Sequence, residues 1–193
     1  MGAGIARAVF SFRSIFTNSA ETELAHTLYA ETILAARRPM FFNAGDVPDT
    51  AEGRFEMIAL TAFLVLHRLK KIEGTNELSQ KYFDVMFDDL DSNLRELGVG
   101  DISVGKKIKK LAESFYGRIK AYEGGLEADG NDILTAALIR NVYRHTDVPP
   151  ETAAMLSVYV RNEAANLDDQ SDQAFLDGNI KFTEPSKAFG ASS

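Results

Sequence analysis

Between Phe83 and Tyr122, apolar residues recur twice at helical spacing, once on each side of a glycine-marked turn. Phe83, Phe87, Leu90, Leu94 and Leu97 step by four, three, four and three, which sets them on one stripe of a helix. Val104, Ile108, Leu111, Phe115, Ile119 and Tyr122 repeat the pattern after the turn. The polar faces carry opposite charge: Asp84, Asp88, Asp91 and Glu96 come before the turn, and Lys106, Lys107, Lys110 and Lys120 after it. Amphipathic helices joined by so short a loop pack antiparallel, and the spacing predicts a helical hairpin over about 76–122.

The same periodicity extends along most of the chain. Ser19 has the character of an N-cap, with Glu21 and Glu23 in the first turn of a helix reaching about Arg38. Leu24, Leu28 and Ala35 mark its buried side, and Pro39 ends it. Residues 39–53 hold Gly45, Pro48 and Gly53 and read as a loop, yet they carry Met40, Phe41 and Phe42. An apolar cluster in a loop either plugs the core or meets a partner.

Thr50 or Asp49 caps the next helix, about 51–71, which is apolar nearly all round from Met57 to Leu66 and therefore central and buried. Arg68, Lys70 and Lys71 complement the dipole at its end, and Gly74 stops it. After the hairpin, Gly124 and Gly125 are expected to break the chain. Asn131 or Asp129 opens a short helix through Ile133, Leu134, Ala137, Leu138 and Val142. Pro149 and Pro150, with Asp147 as cap, start another, which Met155, Leu156, Tyr159 and Val160 continue and Leu167 extends. From Gly178 the chain reads as a tail with Ile180 and Phe182 pinned to the body. No strand pair and no internal repeat is visible. The predicted fold is all-α: one compact multi-helix domain over 19–180, with an N-terminal amphipathic segment at 1–18 and a C-terminal tail at 181–193.

Composition narrows the function classes. A chain of 193 residues suits one domain with a real core. Its net charge of -7 argues against a surface that binds nucleic acid throughout, while leaving room for a local basic patch. The absence of cysteine excludes a disulfide scaffold, cysteine-ligated zinc, an iron–sulfur cluster and a thiol nucleophile, and fits a reducing cytoplasm. The longest apolar run, 57–66, is short of the roughly 20 residues a transmembrane helix needs. Ahead of the first acidic residue, Glu21, the residues Ile5, Val9, Phe12 and Phe16 form an apolar stripe whose only charged neighbours are Arg7 and Arg13. Three readings fit that segment: a first helix folded on the core, an interfacial helix on an anionic membrane, or an organelle targeting segment.

Four motifs suggest chemistry, and each has a plainer reading. Residues Gly100 to Lys106 match most of a phosphate-binding P-loop, but Lys107 stands where Ser or Thr should reach magnesium, and a helix precedes it instead of a strand. Residues Asp168 to Asp172 match the DDxxD motif of prenyl-diphosphate synthases, which are also all-α but use two facing acidic motifs. Glu23-Leu-Ala-His26 matches half of a helical di-iron site, with no second copy at His67 or His145. The run Lys106, Lys107, Lys109, Lys110 suits phosphate or anionic lipid, or else attraction to the acidic neighbouring helix and ordinary solvation.

Several segments, taken in order, resemble one family. They are Ala-Arg-Arg-Pro-Met-Phe-Phe at 36–42, Val-Pro-Asp-Thr at 47–50, Gly-Arg-Phe at 53–55, the hairpin from Phe83 to Tyr122, Leu-Ile-Arg-Asn-Val-Tyr at 138–143, and Phe-Leu-Asp-Gly-Asn-Ile-Lys-Phe at 175–182. Their order and spacing resemble the ubiquinol–cytochrome c chaperone family, the assembly factors of the cytochrome bc1 complex. The chain departs from that pattern at Leu60-Thr61, where Leu-His is expected.

The resemblance implies a non-catalytic chaperone without a cofactor, bacterial because a long import extension is absent, working peripherally at the cytoplasmic face of the inner membrane. Implied partners are newly synthesised cytochrome b, a small partner chaperone, the ribosome and the inner-membrane surface, and no DNA. In that light Phe41, Phe42 and Phe55 contact the client, with Asp49 and Arg54 at the rim. Arg7, Phe12, Arg13, Phe16, Lys106, Lys107 and Lys110 then become membrane or phosphate contacts. The competing expectation is a magnesium-dependent all-α enzyme or binder of prenyl diphosphates built on Asp168–Asp172.

Overall fold

Thr50 sets the start of the helix on which the rest of the chain is assembled. Its backbone is extended, and its hydroxyl accepts the amide of Gly53 at 3.1 Å, satisfying one of the orphan donors of the first turn. The computed structural model describes residues 19–96 and 98–189, and the regular structure among them is helical. In order these helices are α1 (Ser19–Ala36), α2 (Pro39–Asn43), α3 (Ala51–Leu69), α4 (Asn76–Glu96), α5 (Asp101–Glu127), α6 (Asp132–Asn141), α7 (Pro150–Asp169), α8 (Asp172–Leu176) and α9 (Ser186–Phe189). Helix α3 is buried continuously from Glu56 to Val65, as its all-round apolar pattern requires, and α1, α4, α5 and α7 pack against it.

The predicted hairpin is α4 and α5. Its seam is aromatic: the ring of Phe83 lies 4.4 Å from Phe87 and stacks on Tyr116 at 5.5 Å, while Phe115 meets both Phe83 and Phe87. The turn is closed by the amides of Gly98 and Val99 bonding to the carbonyls of Arg95 and Leu94, with Gly98 in the left-handed region at φ 79°. Gly100 then occupies the N-cap of α5, so the P-loop-like stretch is the start of a helix that follows another helix. Leu97, the last residue of the first stripe, lies outside the described residues, as does the whole 1–18 segment with Arg7, Phe12, Arg13 and Phe16.

Three local expectations are corrected. Gly124 and Gly125 do not break the chain; α5 runs through them to Glu127. Gly125 is there for closeness, since a Cβ on it would lie 2.8 Å from the Cα of Leu134 in α6. Asp147 is not the cap of α7, which begins with Pro149 at the cap position and Pro150 at the first helical position. Met155 faces outward on α7, while Leu156, Tyr159, Val160 and Leu167 are buried. The loop from 39 to 53 contains α2, and its last residues belong to α3.

The segment expected as a tail is fastened to the body as far as Phe189. The side chain of Gln170 accepts the amide of Lys181, and Asn166 and Gln170 both donate to the Lys181 carbonyl. The buried carboxylate of Glu163 accepts both the amide and the hydroxyl of Thr183. Arg38 holds the carbonyls of Phe182 and Thr183 from the other side. Two more arginines tie helix ends together: Arg161 donates to the carbonyls of Gly125, Leu126, Ala128 and Gly130, and Arg68 to those of Leu167 and Gln170. Residues 190–193 lie outside the described part.

Candidate functional site

The region from α2 to the first turn of α3 is held in place by the residues behind it. Phe41 is 1% exposed, with its ring edge-on to Tyr159 at 5.1 Å and to Phe189 at 6.2 Å. Of the two roles open to it, the structure gives Phe41 the plug, and it presents no surface to a partner. The amide of Val47 returns to the Phe41 carbonyl at 3.0 Å, and the hydroxyl of Tyr143 donates to the Gly45 carbonyl at 2.6 Å. Asp46 sits at φ 53°, in the left-handed region, and accepts from Thr152 at 3.3 Å.

Phe42, Asp49, Arg54 and Phe55 lie on the outer side of this plug. Phe42 and Phe55 are half-buried, and Asp49 and Arg54 are exposed. The Arg54 guanidinium donates to the Asp49 carboxylate at 2.6 Å across the Thr50 cap. That bond holds the Asp49 carboxyl below, and the Arg54 guanidinium above, the ordinary range. Beneath Phe55 lies a group that periodicity alone did not reveal. Glu56 and Arg118, 2% and 5% exposed, form a two-pronged ion pair, with Nε to Oε2 at 2.7 Å, and the guanidinium carbon stands 5.8 Å over the Phe55 ring. Burial works against the charge on Arg118, but the Glu56 carboxylate outweighs it and raises its pKa.

Next to Asp49 and Arg54 a surface cleft of about 210 Å³ opens between the start of α3 and the turn after α6. Pro48, Thr50, Glu52 and Gly53 form one wall, and Asn141, Val142, Arg144, His145 and Thr146 the other. His145 is 4.0 Å from Glu52 across it. Three of the segments that carry the family resemblance, 47–50, 53–55 and 138–143, thus meet at one place. The second wall was absent from the sequence-based site, because nothing in the spacing of residues 141–146 points across 90 positions to the loop.

The other predicted residues lie elsewhere. Lys106 and Lys110 precede Arg118 on α5 by twelve and eight residues, about 18 and 12 Å along the helix. Lys106, Lys107 and Lys110 are exposed and form no ion pair among the described residues. The acids of α4 have partners of their own: Asp91, together with Asp101 of α5, flanks Arg95, Asp84 accepts from Gln80, and Asp89 accepts from Tyr29.

The Asp168–Asp172 motif is bound up internally. Asp168 pairs with Lys71 at 2.6 Å, and Asp172 with Arg68 at 2.6 Å. Its carboxylates tie the end of α3 to the α7–α8 corner, which removes the reason to read them as a diphosphate site. Among the described residues no three His, Asp or Glu side chains are grouped to hold a metal ion, and no helix is long and apolar enough to cross a membrane.

Comparison with known proteins agrees with the segments. The family described as Ubiquinol-cytochrome C chaperone matches residues 43–182. Ubiquinol-cytochrome-c reductase complex assembly factor 1 of Xenopus laevis is 27% identical over 66% of this chain and 64% of its own length. The Homo sapiens and Mus musculus proteins of that name are 28% and 26% identical over 70% and 74% of this chain. The chain spans 46% and 48% of those two relatives, about half their length. A crystal structure of the Cbp3 homolog from Brucella abortus superposes with a TM-score of 0.78 at 39% identity, covering 87% of this chain and 93% of that one.

Proposed function

The chain belongs to the ubiquinol-cytochrome C chaperone family, and from that premise we propose that it is a non-catalytic assembly factor of the bc1 complex whose client is newly made cytochrome b. The client contact is the face around the start of α3: Phe42 and Phe55 supply apolar area, and Asp49 and Arg54 orient the contact at its rim. Phe41 supports that face from inside and does not touch the client. The observation that carries this reading is the convergence of segments 47–50, 53–55 and 138–143 on one cleft, at the start of the helix that carries the half-buried ring of Phe55. Such a face suits a hydrophobic client, because rings left partly in water gain when covered. A small partner chaperone, the ribosome and the cytoplasmic face of the inner membrane complete the proposed setting.

The test is a strain that depends on this protein for its bc1 complex, carrying Phe42→Ser together with Arg54→Glu. Arg54 is exposed and Phe42 only partly buried at the edge of the core, so the purified variant should keep its helicity and lose only a little in melting temperature. The bc1 content of membranes, read from the cytochrome b haem spectrum, should fall severalfold. Normal bc1 content with a well-folded variant would remove the client role of this face. Phe41→Ser is the contrast: truncating this buried ring costs about 3–5 kcal/mol and lowers bc1 content only through loss of the fold.

A further inference from the structure

The outward face of α5 has no role in the client contact and is unlike the rest of the surface. Ile102, Lys106, Lys110 and Lys120 fall on one side of that helix, opposite the seam formed by Val104, Ile108, Phe115 and Ile119, and Tyr116, stacked on Phe83, marks the border between the two. Ile102 is 82% exposed, the most exposed large apolar side chain among the described residues, and Tyr116 is 43% exposed. The three lysines enter no ion pair among the described residues, and between Ile102 and Lys120 Glu113 is the one carboxylate on the stripe. A chain with net charge -7 therefore concentrates unpaired positive charge, with an apolar residue at its end, on one edge of a helical hairpin.

We propose that this stripe of α5 is the face by which the protein docks on an anionic lipid surface. The lysines meet headgroup phosphates while their long stems cover apolar surface, and Ile102 enters the boundary between headgroups and acyl chains. The acidic remainder of the molecule is repelled by the same surface, which fixes the orientation of docking. A nucleic-acid backbone offers the lysines the same phosphate chemistry but gives Ile102 nothing to enter, and this favours lipid. Lys107 is rotated about 100° from Lys106 and lies on the flank of the stripe, so it contributes less than either neighbour on the stripe. The proposal rests on the reading that the protein works at a membrane, and it concerns a face separate from the client contact.

The experiment is flotation of the full chain with vesicles of phosphatidylcholine alone and with 30% phosphatidylglycerol, over a series of salt concentrations. The parent should bind only the anionic vesicles, and less as salt rises. Each lysine held near an anionic leaflet strengthens binding about fivefold, so Lys106→Glu with Lys110→Glu should weaken it at least about 25-fold. Ile102→Ser should weaken it severalfold without changing the salt dependence. A control with the same charge change elsewhere, Arg37→Glu with Lys181→Glu, should lose far less. The proposal is overturned if the parent does not bind anionic vesicles, if the Lys106/Lys110 variant binds like the parent, or if the control loses as much. It is also overturned if poly(U) displaces the vesicles at equal phosphate and Ile102→Ser has no effect, which makes the face a nucleic-acid contact. Vesicle binding reads this face, and bc1 content of the Phe42/Arg54 variant reads the client face, so either can fail without the other.

Discussion

Glu56 sits where the apolar pattern of α3 would accept a hydrocarbon, and its burial is tolerable only because Arg118 meets it with two hydrogen bonds and Ser114 takes a further donor from the guanidinium at 2.7 Å. The sequence shows both residues, but not that they belong together, since 62 positions separate them. Phe41 and Phe42 pose the same difficulty at closer range. They are neighbours with the same side chain, yet one is sealed against Tyr159 and the other is only partly buried, because the short helix α2 turns them to different sides. Glu56→Gln leaves a buried guanidinium without its counter-charge and should cost about 3–5 kcal/mol in urea unfolding. Replacing both partners by well-packed apolar residues, Glu56→Leu with Arg118→Met, should recover most of that loss. If Glu56→Gln unfolds at the same urea concentration as the parent, the pair does not brace the face under Phe55.

Helical elements were legible wherever apolar residues recur every three or four positions. The stripes of α4 and α5 became the aromatic seam, and the all-round apolar α3 became the centre. Glycines were harder to interpret, because a glycine that ends a helix and one that lets two helices touch look alike in a sequence. Gly124 and Gly125 separate these meanings experimentally. Nothing lies within 4 Å of a Cβ on Gly124, so Gly124→Ala should stabilise the protein by about 0.5–1 kcal/mol through helix propensity. A Cβ on Gly125 meets the Leu134 backbone, and Gly125→Ala should cost about 1–3 kcal/mol. Thermal or urea unfolding of the two variants checks the pair. The same sign of change in both would mean that α5 and α6 are not packed as closely as described.

For the whole molecule, the all-α class and the order of segments followed from the sequence, and the family match over residues 43–182 agrees with them. The ties that close the structure did not follow, for they join distant positions through side chains that look ordinary in a sequence. Glu163 with Thr183, Arg38 with Phe182, and Arg161 with the end of α5 are of this kind. They matter for function because they fix the loop, the α6–α7 turn and the C-terminal segment around one buried ring, Phe41. The proposed client face is therefore held in position in the free protein, which would lower the ordering cost of binding. Its residues come from segments about 90 positions apart, so only the first wall, from Phe42 to Phe55, was visible in advance.

The central claim is that this face meets cytochrome b as it is made, and site-specific photocrosslinking in cells that are actively translating it tests the contact itself. A photoreactive residue placed at position 54, at the rim beside Asp49, should give an adduct with newly made cytochrome b. The same residue at position 177, exposed beyond the end of α8, should give little or none. A well-folded protein that yields no adduct from position 54, or an equal one from position 177, would contradict the account.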